Sequence, residues 1–266
     1  MGEIFCLRLA FGMMASLLVL DSKPIPPRFF RVQFLVSLAL ITVAWFFLFS
    51  SYAVRKGYFS YWYEWNSIIL TTSGVVCFFG CISWHLDNAP GGMASIRLTF
   101  LGLGLVLFLG SSLMSFSPIP EERPTLNLWP PADNYASAAM LGTATTAMLL
   151  GHSYLISPAM SIVPLQRMLI ALAGALAFRV SLACWGLYWW TAEHPLRNLE
   201  TETLLWLSAR WLLGIFGPLL LGWMAWETAR IRSTQSATGI LYVVVIVTFL
   251  GELTSLLLLE KTGYPL

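Results

Sequence analysis

Residues 32–50 of this 266-residue chain read VQFLVSLALITVAWFFLFS, an unbroken run without a charged side chain. About 20 apolar residues in a helix suffice to cross the hydrocarbon core of a bilayer. In water this run would expose aromatic and branched side chains on every face, whereas lipid solvates all of them. The run therefore predicts a membrane-spanning helix.

Similar runs fill most of the chain, and the composition agrees with them. Hydrophobic residues make up 58% of the sequence and charged residues 11%, with a mean hydropathy of +0.74, whereas soluble domains carry about 25% charged residues. The sequence predicts an all-α integral membrane protein, a polytopic bundle of about eight transmembrane helices. Their predicted bounds are 4–20, 31–52, 62–85, 94–116, 135–157, 166–190, 204–226 and 238–259.

The first run is short and carries Arg8, so a secretory signal segment is the alternative to a permanent helix. It ends in Asp21-Ser-Lys-Pro rather than in the small residues of a cleavage site, which favours the helix. The connectors are too short for a soluble domain, so we expect a single transmembrane domain over 1–266. The longest connector, 117–134, is rich in proline, which predicts a loop.

Positive charges between the predicted helices indicate orientation, because cytoplasmic loops are enriched in Lys and Arg. One side of the membrane holds Lys23, Arg28, Arg31, Arg97, Arg167, Arg230 and Arg232. The other side holds Arg55, Lys56, Arg123, Arg197 and Lys261. The bias predicts a multi-pass membrane protein with both termini outside. The net charge of +2 gives no reason to expect a nucleic acid partner.

Several ionisable residues fall inside the predicted helices, where inserting a charge costs about 2.5–3.5 kcal/mol. If successive helices cross the membrane in alternating directions, each of these residues can be assigned a depth. Five of them are expected at similar or adjacent depths: Arg8, Glu64, Arg179, Arg210 and Glu252. Charges in such places pair with one another or line a polar path. The pattern predicts a buried polar cluster, which either locks the helices together or borders a functional cavity.

Two glycine and proline positions predict how the helices around these charges pack. Gly251 directly precedes Glu252, and a glycine lets a second helix approach closely. Pro218 lies inside the seventh predicted helix, which it is expected to kink.

A second group of polar residues is expected on the inner side of the membrane. His85 ends the third predicted helix and His152 lies near the end of the fifth, at similar depth to Tyr154, Arg97 and Arg167. Imidazole and phenol groups donate hydrogen bonds to a quinone oxygen and move protons. These five residues are therefore the predicted quinone or cofactor pocket.

Two alternatives for the histidines stay open. His85 and His152 together offer the two nitrogen ligands of one b-type haem, or each caps a helix end by an ordinary hydrogen bond. No other metal site and no catalytic residue are predicted.

The chain resembles the eight-helix membrane anchors of polysulfide- and dimethyl-sulfoxide-reductase type respiratory complexes. The likeness lies in the number of helices, the outward termini, His85-Leu-Asp followed by Pro90 and Gly91, and Gly251-Glu-Leu253 in the last helix. Those anchors lack haem and exchange electrons between quinone and an iron–sulfur partner subunit. The resemblance implies a quinone-interacting subunit of a bacterial respiratory electron-transfer complex in the inner membrane. The lipid bilayer and other subunits of the complex are the implied partners.

Two further functions compete with this one. A transporter or channel would use Arg179, Arg210 and Glu252 as its substrate or proton path, and inverted repeats or broken helices would support it. A purely structural membrane subunit would pair all of these charges internally. In neither reading is the chain an enzyme by itself.

The predicted orientation has a direct test. A reporter enzyme that is active only outside the cytoplasm, fused after Leu266, is expected to be active, because the Lys and Arg bias places that end outside. Activity of the fusion is measured against the same reporter fused within the connector around Arg230. The reverse pattern of activity would contradict the orientation.

Overall fold

The computed structural model describes residues 2–23, 25–54, 60–86, 89–115, 129–157, 159–193, 201–264 and 266, and these form helices and short connections without a strand. The helices are α1 (Gly2–Leu18), α2 (Pro27–Val54), α3 (Ser60–His85), α4 (Ala89–Ser115), α5 (Trp129–Ile156), α6 (Val163–Glu193), α7 (Thr201–Trp211), α8 (Gly217–Arg230) and α9 (Thr234–Thr262). A π-helical turn, Leu212–Phe216, joins α7 to α8. The all-helical prediction is confirmed for this part of the chain.

Six helical runs within the described residues are long and apolar enough to cross a membrane. They are Pro27–Ser50, Glu64–His85, Pro90–Gly110, Val163–Ala192, Thr201–Arg230 and Thr234–Thr262. The fold is therefore that of an all-α, multi-pass membrane protein with six candidate spans. Eight spans stay a prediction.

The helices α1 and α5 are not among the six candidate spans, for different reasons. The α1 helix has 17 residues, which is short for a span. The α5 helix has 28 residues, but its middle reads ASAAMLGTATTA, where small and hydroxyl side chains replace large apolar ones. Most described side chains of both helices are buried, so neither depends on contact with lipid.

Large apolar side chains cover the outer faces of the long helices. Phe46 of α2 is 66% exposed, Phe79 of α3 58% and Trp223 of α8 61%. A soluble protein rarely exposes so much contiguous apolar surface. Inside, by contrast, arginine, glutamate, glutamine and hydroxyl side chains are fully buried. This polarity, apolar outside and polar inside, suits a protein whose solvent is lipid.

The chain divides into two compact units, Met1–Ala138 and Ala139–Leu266, here called the N-terminal and C-terminal units. In the N-terminal unit α1 and α3 each pack against both α2 and α4, so α2 and α4 lie on opposite sides of its interior. In the C-terminal unit α9 packs against α7, the π-helical turn and α8, and α6 packs against α8. The single transmembrane domain over 1–266 stays a prediction.

The interruption between α7 and α8 falls immediately before Pro218. Gly217 donates its backbone N–H to the Leu212 carbonyl, the wide spacing of a π-helix. Pro218 then stands in the first turn of α8, where its missing N–H costs least. The helix is thus irregular directly before this proline, where it forms a π-helical turn, and the predicted kink stays a prediction.

Gly251 confirms the predicted close helix approach. A Cβ atom built on Gly251 would collide with the Cα atom of Gly214 in the π-helical turn, and one built on Gly214 would lie 2.9 Å from the Gly251 Cα atom. The two backbones thus touch directly, which only glycine allows at both positions.

The prediction of a loop over 117–134 is wrong at its C-terminal end, because α5 begins at Trp129. Pro130 and Pro131 occupy its first turn, where proline is compatible with a helix because those N–H groups have no intrahelical partner. Residues 117–128 lie outside the described residues.

Gly251→Ala is expected to lower the melting temperature of the purified protein, because the new methyl group overpacks the contact with Gly214 at a cost of about 1–3 kcal/mol. Gly239→Ala, on the same helix, is the control: no atom lies within 4 Å of its Cβ position. Thermal unfolding in detergent, followed by intrinsic fluorescence, measures both. Equal melting temperatures for the two variants would contradict the packing role of Gly251.

Candidate functional site

A buried ionic cluster connects three helices of the C-terminal unit. Arg179 of α6 donates from Nε to Glu252 Oε1 at 3.0 Å and from Nη2 to Oε2 at 3.1 Å, a bidentate pair. Arg210 of α7 donates from Nη1 to the same Oε1 at 3.1 Å. All three side chains have 0% exposure. The structure thus brings together three of the five charges that the sequence predicts to cluster.

Polar groups around the cluster complete it. Arg179 Nη2 also donates to Ser255 Oγ at 2.8 Å, and the Ser255 hydroxyl donates to the Leu266 backbone oxygen at 3.2 Å. Arg210 Nε donates to that same oxygen at 3.3 Å. Ser255 lies three residues after Glu252 and therefore on the same face of α9. The cluster is a network, in which one serine and one backbone oxygen connect the two arginines a second time.

The position of Arg210 depends on the glycine contact described above. A Cβ atom on Gly214 would collide with Arg210 Nη1, so the guanidinium lies directly over this glycine. The missing side chain leaves room for the charge as well as for the backbone of α9. The sequence pattern alone gave no reason to connect Gly214 with Arg210.

Arg8 has a separate ionic site in the N-terminal unit. Its Nη2 atom donates to Asp133 Oδ2 at 2.6 Å and its Nε atom to Asn134 Oδ1 at 2.7 Å. The Arg8 and Asp133 side chains are each 1% exposed. Asp133 and Asn134 were missed by the sequence analysis because they were assigned to the 117–134 loop. The Pro130-Pro131 pair, a usual signal for the first turn of a helix, was available to place them inside α5.

Glu64 is not part of a buried cluster, contrary to the prediction. Its side chain is exposed, and it lies near the N-terminal end of α3. An exposed carboxylate is solvated at the surface of the protein and needs no buried cation.

The predicted cofactor residues divide between the two units. His85 and Arg97 belong to the N-terminal unit, His152, Tyr154 and Arg167 to the C-terminal unit. All are exposed except Tyr154, which is 1% exposed. The Tyr154 hydroxyl donates to the Ser161 carbonyl and so fixes the turn between α5 and α6. Because this hydroxyl already donates its proton to the Ser161 carbonyl, it is poorly placed to donate to a ligand as well.

Each of the two histidines has a neighbour that the sequence analysis did not assign to it. Arg31 Nη1 of α2 donates to His85 Nδ1 at 3.2 Å. His152 Nδ1 lies 3.4 Å from the Tyr242 hydroxyl of α9. Arg31 was counted only as a topology charge, and Tyr242 only as part of an apolar run.

An apolar groove of about 400 Å³ lies between α2 and α3. It is lined by Leu38, Ile41, Thr42, Trp45, Leu70, Thr71, Gly74, Val75 and Phe78. The hydroxyls of Thr42 and Thr71 donate to carbonyls of their own helices, at Leu38 and Ser67, so the groove presents no unsatisfied hydroxyl. Half of the Val75 and Phe78 surface is exposed, which opens the groove to the side of the helix pair. Sequence analysis did not detect it, because a groove depends on which helices are neighbours.

No protein-family model and no curated protein matches the sequence, and no solved structure matches the fold. The function therefore has to be inferred from the residues themselves.

Glu252→Gln is expected to destabilise the protein far more than Glu260→Gln. The first change removes the carboxylate that pairs with both Arg179 and Arg210, and breaking a buried ion pair costs about 3–5 kcal/mol. Glu260 is exposed near the end of the same helix, so its neutralisation is expected to be nearly neutral. Yield of folded protein and melting temperature in detergent measure the difference. Similar tolerance of both changes would contradict the structural role of the cluster.

Proposed function

We propose that this protein is a quinone-interacting integral membrane subunit of a bacterial respiratory electron-transfer complex. One observation carries the proposal: an apolar groove and the Arg31–His85 pair lie on the same two helices, α2 and α3, and each member of the pair is seven residues from the nearest lining residue of its helix. A quinone has the matching shape and chemistry, a polar ring with two carbonyl oxygens on a long isoprenoid tail.

Helical spacing supports the continuity of this surface. On α2, Arg31, Leu38, Thr42 and Trp45 follow one another at intervals of three, four or seven residues, so they share a face. On α3, His85 lies seven residues after Phe78, which makes two helical turns and about 10 Å. We call the surface formed by these residues of α2 and α3 the α2–α3 face. It is apolar over the groove and polar at the end that carries Arg31 and His85.

The chemistry of His85 suits a quinone ring. A guanidinium only donates, so the bond from Arg31 makes Nδ1 of His85 the acceptor and leaves Nε2 as the protonated nitrogen. An Nε2–H group can donate a hydrogen bond to a quinone carbonyl and so orient the ring. Arg31 adds positive charge, which favours the anionic states of a quinone during reduction.

The finer parts of the proposal rest on the sequence. They are eight membrane spans, a bacterial inner membrane, both termini outside, and partner subunits that carry the electrons. The resemblance to anchors of polysulfide- and dimethyl-sulfoxide-reductase type complexes supports them. In this proposal His152, with Tyr242 beside it, offers a second imidazole on the C-terminal unit, and Arg97 and Arg167 are retained as predicted pocket residues. Haem b on His85 and His152 is the cofactor alternative.

One observation favours the transporter reading instead. The π-helical turn interrupts the α7–α8 run directly after Arg210, and transport proteins often bind substrate where a membrane helix is broken. Proton flux into vesicles that contain the purified protein distinguishes the two functions. A flux that Arg210→Gln abolishes, without loss of folded protein, would favour transport.

Val75→Trp is expected to reduce bound quinone at least tenfold, because the indole fills the groove. The matched control is Val43→Trp, an equally exposed position on α2 that does not line the groove. Quinone is extracted from protein purified in mild detergent and quantified by chromatography. His85→Phe is expected to weaken binding of a short-tailed quinone while leaving the folded yield unchanged.

The same samples separate the alternatives. An absorption band near the Soret region that shifts on reduction would support haem instead. Phospholipid without quinone in the wild-type extract, reduced by Val75→Trp, would identify the groove as a lipid site and contradict the proposed function.

A further inference from the structure

Two neighbouring contacts join the start of α2 to the end of α3. The rings of Phe30 and Trp84 stack, with their centroids 4.1 Å apart and an angle of 9° between their planes. The next residue of each helix makes the second contact, in which Arg31 Nη1 donates to His85 Nδ1 at 3.2 Å. Consecutive residues of a helix point about 100° apart. The aromatic pair accordingly lies inside the protein, whereas the His85 side chain is exposed.

The start of α4 packs against the same indole ring. A Cβ atom built on Gly92 would collide with the Cε2 and Nε1 atoms of Trp84, so the α4 backbone lies directly against the ring. Phe30 is 0% exposed and Trp84 is 2% exposed. Closely packed side chains of this kind cannot shift without moving their neighbours. The position of Trp84 is therefore set by both α2 and α4.

His85 depends on this packing because it is the last residue of α3. The last turn of a helix lacks part of its hydrogen bonds and frays unless other contacts hold it. Here the helical pattern is kept to the end, since the Leu86 N–H donates to the Ile82 carbonyl at 2.9 Å. The exposed imidazole is thus held beside Arg31 by the buried residue that precedes it in the chain.

We propose that Phe30, Trp84 and Gly92 are positioning residues, which keep His85 against Arg31 and so hold its imidazole in the Nε2–H tautomer. A neutral imidazole has two tautomers, and only the Nε2–H form leaves Nδ1 free to accept from a guanidinium. If the indole were displaced, the contact with Arg31 would be lost and both tautomers would be populated. This role rests on the proposed function, because the Nε2–H group is the donor offered there to a quinone carbonyl.

Nitrogen NMR of the wild-type protein in lipid bilayers measures the tautomer in the absence of quinone. The chain has three histidines, so labelling histidine with nitrogen-15 and carbon-13 gives few signals. The signals of His85 are identified by their loss in His85→Phe. In alkaline buffer, in which imidazole is neutral, we expect the proton on the nitrogen bonded to Cδ2, which is Nε2. Equal occupancy of the two His85 nitrogens by the proton would overturn the proposal, and this measurement requires no folded variant of the stack.

Gly92→Ala is expected to shift His85 toward an equal mixture of the two tautomers, because the new methyl group displaces Trp84. Gly102→Ala is the matched control. It overpacks the same two helices, since its Cβ atom would collide with Ser73 Oγ of α3, but it lies ten residues further along α4, about 15 Å away. We expect the control to keep the wild-type tautomer. An unchanged tautomer in Gly92→Ala, or an equal change in both variants, would overturn the positioning role.

Binding of a short-tailed quinone to the same samples separates this role from the proposed function. We expect Gly92→Ala to weaken binding about 3- to 10-fold, the contribution of one hydrogen bond, and Gly102→Ala to leave it unchanged. If Gly92→Ala disturbs the tautomer but the wild type binds no quinone, the positioning of His85 is supported and the proposed function is contradicted. Wild-type affinity in Gly92→Ala would overturn the contribution of the stack to quinone binding.

Discussion

A carboxylate that no water reaches can be stabilised only by donors from the protein itself, and Glu252 takes its donors from two other helices. Arg179 donates hydrogen bonds to both carboxylate oxygens of Glu252, and Arg210 donates to one of them. Desolvating these three charges is costly, and only close pairing recovers the cost. The arrangement of α6, α7 and α9 therefore has little freedom, because a shift of any one helix would separate charges that are paired inside the protein.

Backbone features around the cluster follow from that constraint. Arg210 can reach Glu252 only if α7 and α9 come very close, and the Gly214–Gly251 contact provides that approach. The π-helical turn widens the helix at the same place, which moves Gly214 against α9 and also accommodates Pro218. The two glycines, Pro218 and the π-helical turn together allow two guanidinium groups to reach one carboxylate.

Sequence reasoning succeeded where the bilayer dictates the answer and failed where tertiary neighbours do. Long apolar runs predict helices because lipid offers the backbone no other partner, and charges such as Arg179 and Glu252 inside those runs predict internal pairing. The partner of Arg8 was missed because Asp133 is more than a hundred residues away and follows two prolines that resemble a loop. The surroundings of His85 were missed for a similar reason: Arg31 looks like a loop charge until α2 and α3 are known to be neighbours.

The buried ionic cluster and the apolar groove differ in how they can be reached. The ionic cluster is closed to the outside, because the side chains of Arg179, Arg210 and Glu252 are completely buried. The groove on the α2–α3 face is open sideways, where the surrounding medium is lipid. A ligand of that groove must therefore first dissolve in the membrane and enter laterally. Isoprenoid quinones meet this requirement, whereas a soluble substrate does not.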